Sequence, residues 1–197
     1  MEFHKNLSHL GWDEVRDRQL QRLPLVKEWV SIVCLKKSSS LLDIGPGPGV
    51  FLSEYASIVG PEGRIIALEK SQEAIQFALK EINLSNVSII CWDVEKSFNV
   101  ELGHFNAITI TDVLHHADSS IEILKNIHNL ATEETLILIA EFDPEAEGKI
   151  GPPLKNRLAM SVLKLNVESV GFEIICEGKQ ILEHYYLLIK NRAKAPV

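Results

Sequence analysis

Three glycines stand at alternate positions, Gly45, Gly47 and Gly49, directly behind the apolar run LLDI that contains Asp43. The run has the length of a buried strand, and the segment GVFLSEYASIV after it has the apolar spacing of a helix. A strand, a glycine turn and a helix N-terminus form a site for an anion or a nucleotide, because free backbone N–H groups point outward there. These residues therefore predict a nucleotide-type ligand at the turn.

The spacing of the glycines and the nearby acid discriminate between a nucleoside triphosphate, a dinucleotide and S-adenosylmethionine. A triphosphate loop requires Gly-Lys followed by Ser or Thr, and the Gly-Lys pairs at Gly148 and Gly178 continue with Ile and Gln. A dinucleotide turn requires a third glycine where Val50 stands, and Asp43 would repel a pyrophosphate. The same carboxylate suits a ligand with an ammonium and a sulfonium, and S-adenosylmethionine carries both.

Further motifs follow in order along the chain. Glu69 ends the run RIIALE 20 residues after Gly49, where a carboxylate can accept hydrogen bonds from both hydroxyls of a ribose. The segment CWDV ends the next apolar run, and TDVLHHADS follows the one after that. Together with LLDIGPGPG, these segments resemble the motifs of class I S-adenosylmethionine-dependent methyltransferases, in particular the type 11 group. The resemblance covers roughly residues 25–192.

This resemblance implies a set of cofactor contacts. The glycines would let the backbone approach the methionine half of the cofactor, and Asp43 would help to hold that half, often through water. Lys70 stands where the family usually has an apolar residue, so only its alkyl stem could cover the adenine. The cofactor-binding residues expected from the resemblance are Asp43, Gly45, Gly47, Gly49, Glu69, Lys70, Trp92, Asp93, Val94 and Thr111.

Methyl transfer is an in-line displacement at a sulfonium that leaves S-adenosylhomocysteine, so the enzyme mainly positions two reactants. A base is needed only where the acceptor must lose a proton. The resemblance makes His116 the first candidate for this base, and Glu141 at the end of the fifth strand is the second. A structural role for His115 or His116 is as compatible with the sequence as a catalytic one. Lys155 and Arg157, in a later loop, could pair with an anionic acceptor or simply be solvated.

The order of the predicted elements decides how these residues come together. Apolar runs of strand length alternate with helix-period segments from residue 25 to Phe142, which predicts parallel strands with helices on both faces. The last two strands, FEIICEG and HYYLLIK, are too close in sequence for a parallel crossover and must form an antiparallel hairpin. We therefore expect an α/β fold with a doubly wound, mostly parallel, seven-stranded Rossmann-like sheet and an antiparallel C-terminal edge hairpin.

The N-terminal segment has a different character from the rest of the chain. Residues 1–24 combine charged side chains with Trp12 and are predicted to form an amphipathic cap or lid. Residues 25–197 are predicted to form the S-adenosylmethionine-binding domain, so the chain has a single domain overall.

Composition and charge exclude several classes of protein. The 197 residues are 46% apolar and carry a net charge of −7, which is an ordinary globular composition and disfavours nucleic acid as a partner. No apolar run is long enough to cross a bilayer and the N-terminus lacks a signal-peptide core, so we expect a cytoplasmic protein without a membrane partner. Cys34, Cys91 and Cys176 are widely spaced, which predicts neither a disulfide framework nor a metal site.

The sequence as a whole predicts an S-adenosylmethionine-dependent methyltransferase that acts on a small-molecule acceptor. One alternative is an NAD-dependent oxidoreductase on a Rossmann fold, which Val50 and Asp43 disfavour. The other is a non-catalytic S-adenosylmethionine-binding module. The identity of the acceptor and the oligomeric state are left open at this point.

Overall fold

Helices and strands alternate along residues 11–97 and 101–193, which are the residues that the computed structural model describes. The helices are α1 (Trp12–Gln21), α2 (Leu23–Ile32), α3 (Val50–Val59), α4 (Gln72–Glu81), α5 (Ser120–Leu130) and α6 (Met160–Val170). The strands are β1 (Ser40–Ile44), β2 (Arg64–Glu69), β3 (Val87–Cys91), β4 (Ala107–Thr111), β5 (Leu136–Phe142), β6 (Phe172–Gln180) and β7 (His184–Asn191).

The strands form one seven-stranded sheet in the order β3-β2-β1-β4-β5-β7-β6. The first five pair in parallel, whereas β7 lies antiparallel between β5 and β6. Residues 181–183 join β6 to β7, and such a short connection permits only a hairpin. The predicted doubly wound sheet with an antiparallel edge hairpin is therefore confirmed.

The order of the strands reverses beside β1, and this reversal locates the site. The chain runs outward from β1 through β2 to β3, then returns to β4 on the other side of β1. The loops after β1 and β4 therefore leave the sheet in opposite directions and open a crevice at the carboxyl ends of the strands.

Strand β1 shows how side-chain alternation divides the core into two layers. Leu41 packs with the apolar faces of α2 and α3, whereas Leu42 and Ile44 pack with those of α5 and α6. Asp43 shares the face of Leu41, so a carboxylate enters an otherwise apolar layer and is only 2% exposed. Strand β3 departs from the fully buried pattern, because it lies at the edge of the sheet and is half-buried.

The predicted N-terminal cap lies partly outside the described residues. Its residues 1–10 are among those not described, whereas residues 12–21 form α1, and Pro24 occupies the first turn of α2. Trp29 of α2 is fully buried; its Nε1 donates to Gln180 Oε1 at 3.2 Å, which ties α2 to β6. The division into a cap and a domain stays a prediction. Across residues 11–97 and 101–193, no helix has the length and apolarity needed to span a membrane.

A substitution at Gly49 tests the close packing between the glycine turn and α4. Its φ is +81°, and a Cβ built there would lie 2.6 Å from Ile82 Cδ1 and 3.1 Å from Ala78 Cβ. Gly49→Ala should therefore lower the free energy of unfolding by roughly 2–5 kcal/mol, because backbone strain and overpacking add. Urea unfolding measures this change.

Gly47→Ala is the matched control for backbone strain alone. Gly47 also has a positive φ, of +55°, but the atom nearest to a Cβ added there would be Gln19 Nε2 at 3.5 Å, an ordinary contact. We expect this variant to lose about 1–2 kcal/mol. Equal losses in the two variants would contradict the packing explanation.

Candidate active site

A cavity of about 820 Å³ occupies the crevice at the carboxyl ends of the parallel strands. The loops after β1, β2, β3 and β4 supply its floor, and α1 lies across it. Most of the residues predicted from the sequence line this cavity, namely Gly45, Gly47, Glu69, Lys70, Trp92, Asp93, Val94, Thr111 and His116. Asp43, Gly49 and Glu141 do not line it.

The turn after β1 approaches the loop after β4 closely, and Gly45 makes this approach possible. A Cβ on Gly45 would lie 2.6 Å from Val113 Cγ2, and its φ of +68° is one that other residues rarely adopt. The backbone of the turn therefore forms one wall of the cavity without side chains. Such a wall suits a ligand that must approach the main chain.

Glu69 joins the ends of β1 and β2. Its Oε2 accepts from the Gly47 N–H at 3.1 Å, and its Oε1 accepts from the Ser71 N–H at 2.8 Å. Burial raises the pKa of the Glu69 carboxyl, although these two backbone hydrogen bonds oppose the shift. The carboxylate thus lies at the cavity wall in an orientation fixed by the glycine turn.

Asp43 lies behind the glycine turn rather than on the cavity surface. Its Oδ1 accepts from Thr109 Oγ1 of the neighbouring strand β4 at 2.6 Å. Burial raises the pKa of Asp43 to about 7, partly opposed by the Thr109 hydrogen bond and reinforced by the charge of Glu69. Asp43 can therefore affect a bound cation only electrostatically, across the glycine turn and without direct contact.

The segments after β2 and β3 also line the cavity. After β2, Lys70 is exposed; after β3, Val94 is buried and Trp92 is half-buried. Asp93 Oδ1 accepts from the Glu95 N–H at 3.1 Å, and the Glu95 carboxylate accepts from the N–H groups of Asp118 and Ser119. This segment is therefore connected to the start of α5, and the acid and the apolar groups expected around an adenine come together here.

The LHH segment, Leu114–His116, forms one turn of 3-10 helix. Hydrogen bonds to Glu141 of β5 hold this turn in place. Glu141 is fully buried. Its Oε1 accepts from the N–H groups of Val113 and Leu114 at 3.1 and 2.6 Å, and its Oε2 is 2.6 Å from His115 Nδ1. The carboxylate therefore acts on the turn and on His115, not on the cavity directly.

His115 and His116 both line the cavity, with ring centroids 4.0 Å apart. Burial by itself would lower the pKa of His115, but the Glu141 carboxylate outweighs it and raises that pKa. His116 is half-buried beside it. The motif resemblance placed His116 first, whereas the buried carboxylate partner belongs to His115; the catalytic roles of His116 and Glu141 stay predictions.

Asp112, directly after β4, joins three segments of the chain at the wall of the cavity. Its φ is +59°, and its carboxylate lies 2.9 Å from both Arg22 Nη1 and His184 Nε2. Burial opposes ionisation, but Arg22 and His184 keep the pKa of Asp112 well below its usual range. The Phe142 ring packs under the Arg22 guanidinium at 5.6 Å and forms an apolar wall beside this ion pair.

The loop after β5 supplies the remaining wall, through Gly151, Pro152 and Pro153. Arg157 is buried beneath it and donates to the carbonyls of Ile150, Pro152 and Asp143 and to Glu183. Its guanidinium therefore holds the loop in place and is not available to an anionic acceptor. From the sequence, Arg157 was expected either to be solvated or to pair with an anionic acceptor, and the structure shows neither.

Helix α1 contributes contacts that motif reasoning did not detect. Gln19 is buried; its Nε2 donates to the Pro46 carbonyl at 3.0 Å, and its Oε1 accepts from the Val50 N–H at 3.2 Å. Three residues later, Arg22 reaches Asp112. Gln19 thus ties α1 to the glycine turn, and Arg22, directly after α1, ties the end of this helix to the loop after β4. The one sequence signal was the amphipathic character of residues 1–24.

No metal site accompanies these groups in the part of the chain that the structure describes. Within that part, no three or more His, Cys, Asp and Glu side chains are grouped as metal ligands would be.

A mostly parallel sheet of this strand order, with an antiparallel β7, a glycine turn after β1 and a carboxylate ending β2, is the arrangement expected of the class I S-adenosylmethionine-dependent methyltransferases. Comparison with known proteins agrees: a family model described as a methyltransferase domain matches residues 35–190. The chain therefore belongs to the methyltransferase domain family. The predicted class of enzyme and its cofactor, S-adenosylmethionine, are confirmed.

The individual relatives differ in their acceptors. The chain is 32% identical over 149 residues to a probable ribosomal RNA small subunit methyltransferase A of Thermococcus sibiricus, covering 74% of this chain and 51% of that protein. It is 30% identical over 80 residues to a probable cobalt-precorrin-6B C(15)-methyltransferase (decarboxylating) of Sulfurisphaera tokodaii, covering 36% and 42%. The chain thus spans about half the length of the curated relatives it matches, or less.

Among solved structures, an S-adenosylmethionine-dependent methyltransferase from Aquifex aeolicus superposes with a TM-score of 0.82. The two chains are 18% identical, and the match covers 91% of this chain and 98% of that one. At this identity the likeness supports the fold.

The contacts of Gln19 generate a prediction about the glycine turn. Gln19→Ala should lower the free energy of unfolding by about 1–3 kcal/mol, because the Pro46 carbonyl and the Val50 N–H lose a buried partner. Urea unfolding measures the loss, and amide hydrogen exchange at Val50 should accelerate. Gln21→Ala, at an exposed position of the same helix, should change stability by less than about 0.5 kcal/mol. Unchanged exchange at Val50 would contradict the assignment.

Proposed function

We propose that this domain transfers the methyl group of S-adenosylmethionine to a small-molecule acceptor bound between α1, the LHH turn and the loop after β5. The observation that carries the proposal is the pairing of Glu69 with the Gly47 N–H at one wall of the cavity. A carboxylate in that position offers two oxygens to the hydroxyls of a ribose, and the glycine turn lies beside it.

The cofactor would extend along the ends of the strands. The adenine lies against Val94 and Trp92 with its amine at Asp93, and the alkyl stem of Lys70 covers the ring. The ribose lies at Glu69, and the methionine half lies along the glycine turn toward Thr111. All of these residues line one continuous cavity, which supports this orientation.

The size and walls of the cavity support a small acceptor. The whole cavity, which would hold the cofactor as well as the acceptor, has a volume of about 820 Å³, within the roughly 300–1,000 Å³ of small-molecule sites, so the space beside the cofactor suits a small acceptor. Helix α1 covers the cavity from one side and the Gly151–Pro153 segment borders it on another. The net charge of −7 disfavours a nucleic acid acceptor, although a ribosomal RNA enzyme is among the relatives. Three exposed, free cysteines suit a reducing compartment such as the cytoplasm.

Isothermal titration with S-adenosylhomocysteine tests the cofactor site. We expect the wild-type protein to bind it and Glu69→Ala to weaken binding by about 10²-fold or more, because two charge-assisted hydrogen bonds are lost. Glu54→Ala, which removes an exposed carboxylate on α3, is the matched control and should bind normally. Binding of NAD in place of S-adenosylhomocysteine would overturn the proposal, and binding without transfer to any acceptor would favour a non-catalytic module.

The raised pKa of Asp43 generates a prediction with a definite pH dependence. Because the pKa of Asp43 is about 7 in the folded protein, against 3.8 ordinarily, folding favours the protonated acid and stability is lost as the pH rises through that window. Asp43→Asn should therefore raise Tm above wild type at about pH 8, and much less at about pH 5. A stability gain of about 1 kcal/mol shifts Tm by roughly 2–4 °C in a chain of this size.

Asp43→Asn should also weaken the binding of S-adenosylmethionine by about tenfold. The binding of S-adenosylhomocysteine should weaken less, because only S-adenosylmethionine carries a sulfonium. Asp17→Asn removes an exposed carboxylate and should show neither effect. Equal weakening of both ligands in Asp43→Asn would contradict an electrostatic role for Asp43.

A further inference from the structure

The contacts of Glu141 distinguish His115 from its neighbour. Glu141 is fully buried, and two of its described hydrogen bonds come from the backbone of the LHH turn. Its second oxygen, Oε2, lies 2.6 Å from His115 Nδ1. The two backbone N–H groups hold Glu141 Oε1 in place. Glu141 Oε2 is thereby directed at a single ring nitrogen, Nδ1 of His115.

This geometry determines the state of the imidazole. A carboxylate accepts only, so Nδ1 carries the proton and donates to Glu141 Oε2. In the neutral ring the lone pair must then be on Nε2, the nitrogen that Glu141 does not contact. His115 lines the cavity, and its side chain is only 2% exposed, so the ring is both oriented and shielded from water. A buried acid that orients a histidine is the arrangement of a general base.

We propose that His115, oriented by Glu141, is the general base of the methyl transfer, and that the acceptor carries a phenol-like hydroxyl on an apolar body. This inference rests on the proposed function and deepens it by naming the base and the substrate class. Glu141 is a positioning residue, because it reaches the reaction only through His115. The proposal reverses the order expected from the sequence, in which His116 came first.

The proposed step balances in atoms and charge. The acceptor oxygen attacks the methyl carbon and forms a new C–O bond, while the carbon–sulfur bond breaks and its electron pair stays on sulfur. The hydroxyl proton passes to His115 Nε2. The products are a methyl ether, S-adenosylhomocysteine and an imidazolium, which stays paired with Glu141 until the products leave and water enters the cavity to take the proton.

The acceptor class follows from the base and from the walls. A carboxylic acid is already ionised at neutral pH and needs no base, whereas a phenol, with a pKa of about 10, is a suitable partner for an imidazole. Phe142, Pro152 and Pro153 are apolar residues that line the same cavity as His115, and the Phe142 ring lies 6.1 Å from the His115 ring. An apolar body against this wall would place its hydroxyl toward the histidine.

The groups that face His115 define how the activity depends on pH. They are Glu141 on β5, Asp112 after β4, Arg22 between α1 and α2, and the adjacent His116, with His184 of β7 beyond Asp112. The carboxylates raise the pKa of His115 above its ordinary 6.5, against the effects of burial and Arg22. Turnover of a hydroxyl acceptor should therefore fall as the pH drops through that raised value.

Nitrogen NMR of the histidine rings tests the orienting role of Glu141 without any turnover. With S-adenosylhomocysteine bound and at alkaline pH, we expect His115 to be protonated at Nδ1 and bare at Nε2; His115→Asn identifies its signals by their loss. In Glu141→Gln the amide oxygen is required by the two backbone N–H groups, so the amide N–H faces Nδ1 and the tautomer should reverse. A proton on Nε2 in the wild-type protein would overturn the proposal.

Transfer to 2-naphthol tests the base and the acceptor class. We expect wild-type protein to methylate its oxygen, and His115→Asn to lower kcat by about 10²–10⁴-fold with little change in KM. Asn retains a donor for Glu141, which protects the fold, and His104→Asn at an exposed position is the matched control. Quinoline has the same two-ring shape but no proton to lose, and we expect no dependence on His115 for any transfer to it.

The outcomes separate this inference from the proposed function. Wild-type kcat on 2-naphthol in His115→Asn would overturn the assignment of the base. Protein that binds S-adenosylhomocysteine but methylates quinoline and not 2-naphthol, or neither, would overturn the acceptor class. Failure of wild-type protein to bind S-adenosylhomocysteine at all would instead remove the proposed function itself.

Discussion

The need to satisfy buried carboxylates determines how the loops of this site are arranged. The acids at or just beyond the carboxyl ends of four strands are Asp43, Glu69, Asp112 and Glu141. A buried carboxylate is costly unless donors surround it, so each of these groups collects a hydroxyl, backbone N–H groups or cations from neighbouring segments. Glu69 thereby fixes the glycine turn, and Glu141 fixes the LHH turn. The cavity is the space that these fixed loops enclose.

The two halves of the cavity differ in how their walls are built. The walls at the ends of β1 and β2 consist of backbone and strand ends, which the sheet itself holds rigid. The walls beside them depend on contacts between distant segments: Arg22 with Asp112, and Arg157 with the carbonyls under the Gly151–Pro153 loop. Helix α1 contacts the glycine turn through Gln19, and Arg22, directly after α1, pairs with Asp112. The end of α1 therefore joins two walls of the cavity.

The motifs correctly predicted that polar residues at the carboxyl ends of the parallel strands come together at one cavity. Parallel strands present their carboxyl ends at one edge, so Glu69, Asp93 and Thr111 had to converge once the strands were identified. Asp43 shows the limit of this reasoning: it lies near the carboxyl end of β1, just before the glycine turn, but side-chain alternation directs it under α3 and away from the cavity surface. Arg157 shows another limit, because an arginine in a polar loop does not disclose that it will be buried among carbonyls.

The sequence by itself determined the fold class and the cofactor, because strand, glycine turn and strand-end acid are local patterns that parallel pairing brings together in only one way. Tertiary structure decided that Glu141 pairs with His115. His115 and His116 are adjacent on a 3-10 turn, where successive side chains point about 120° apart. Only packing against β5 places Glu141, 26 residues away in the chain, next to Nδ1 of His115. Contacts over such separations depend on how elements pack, and no local pattern encodes them.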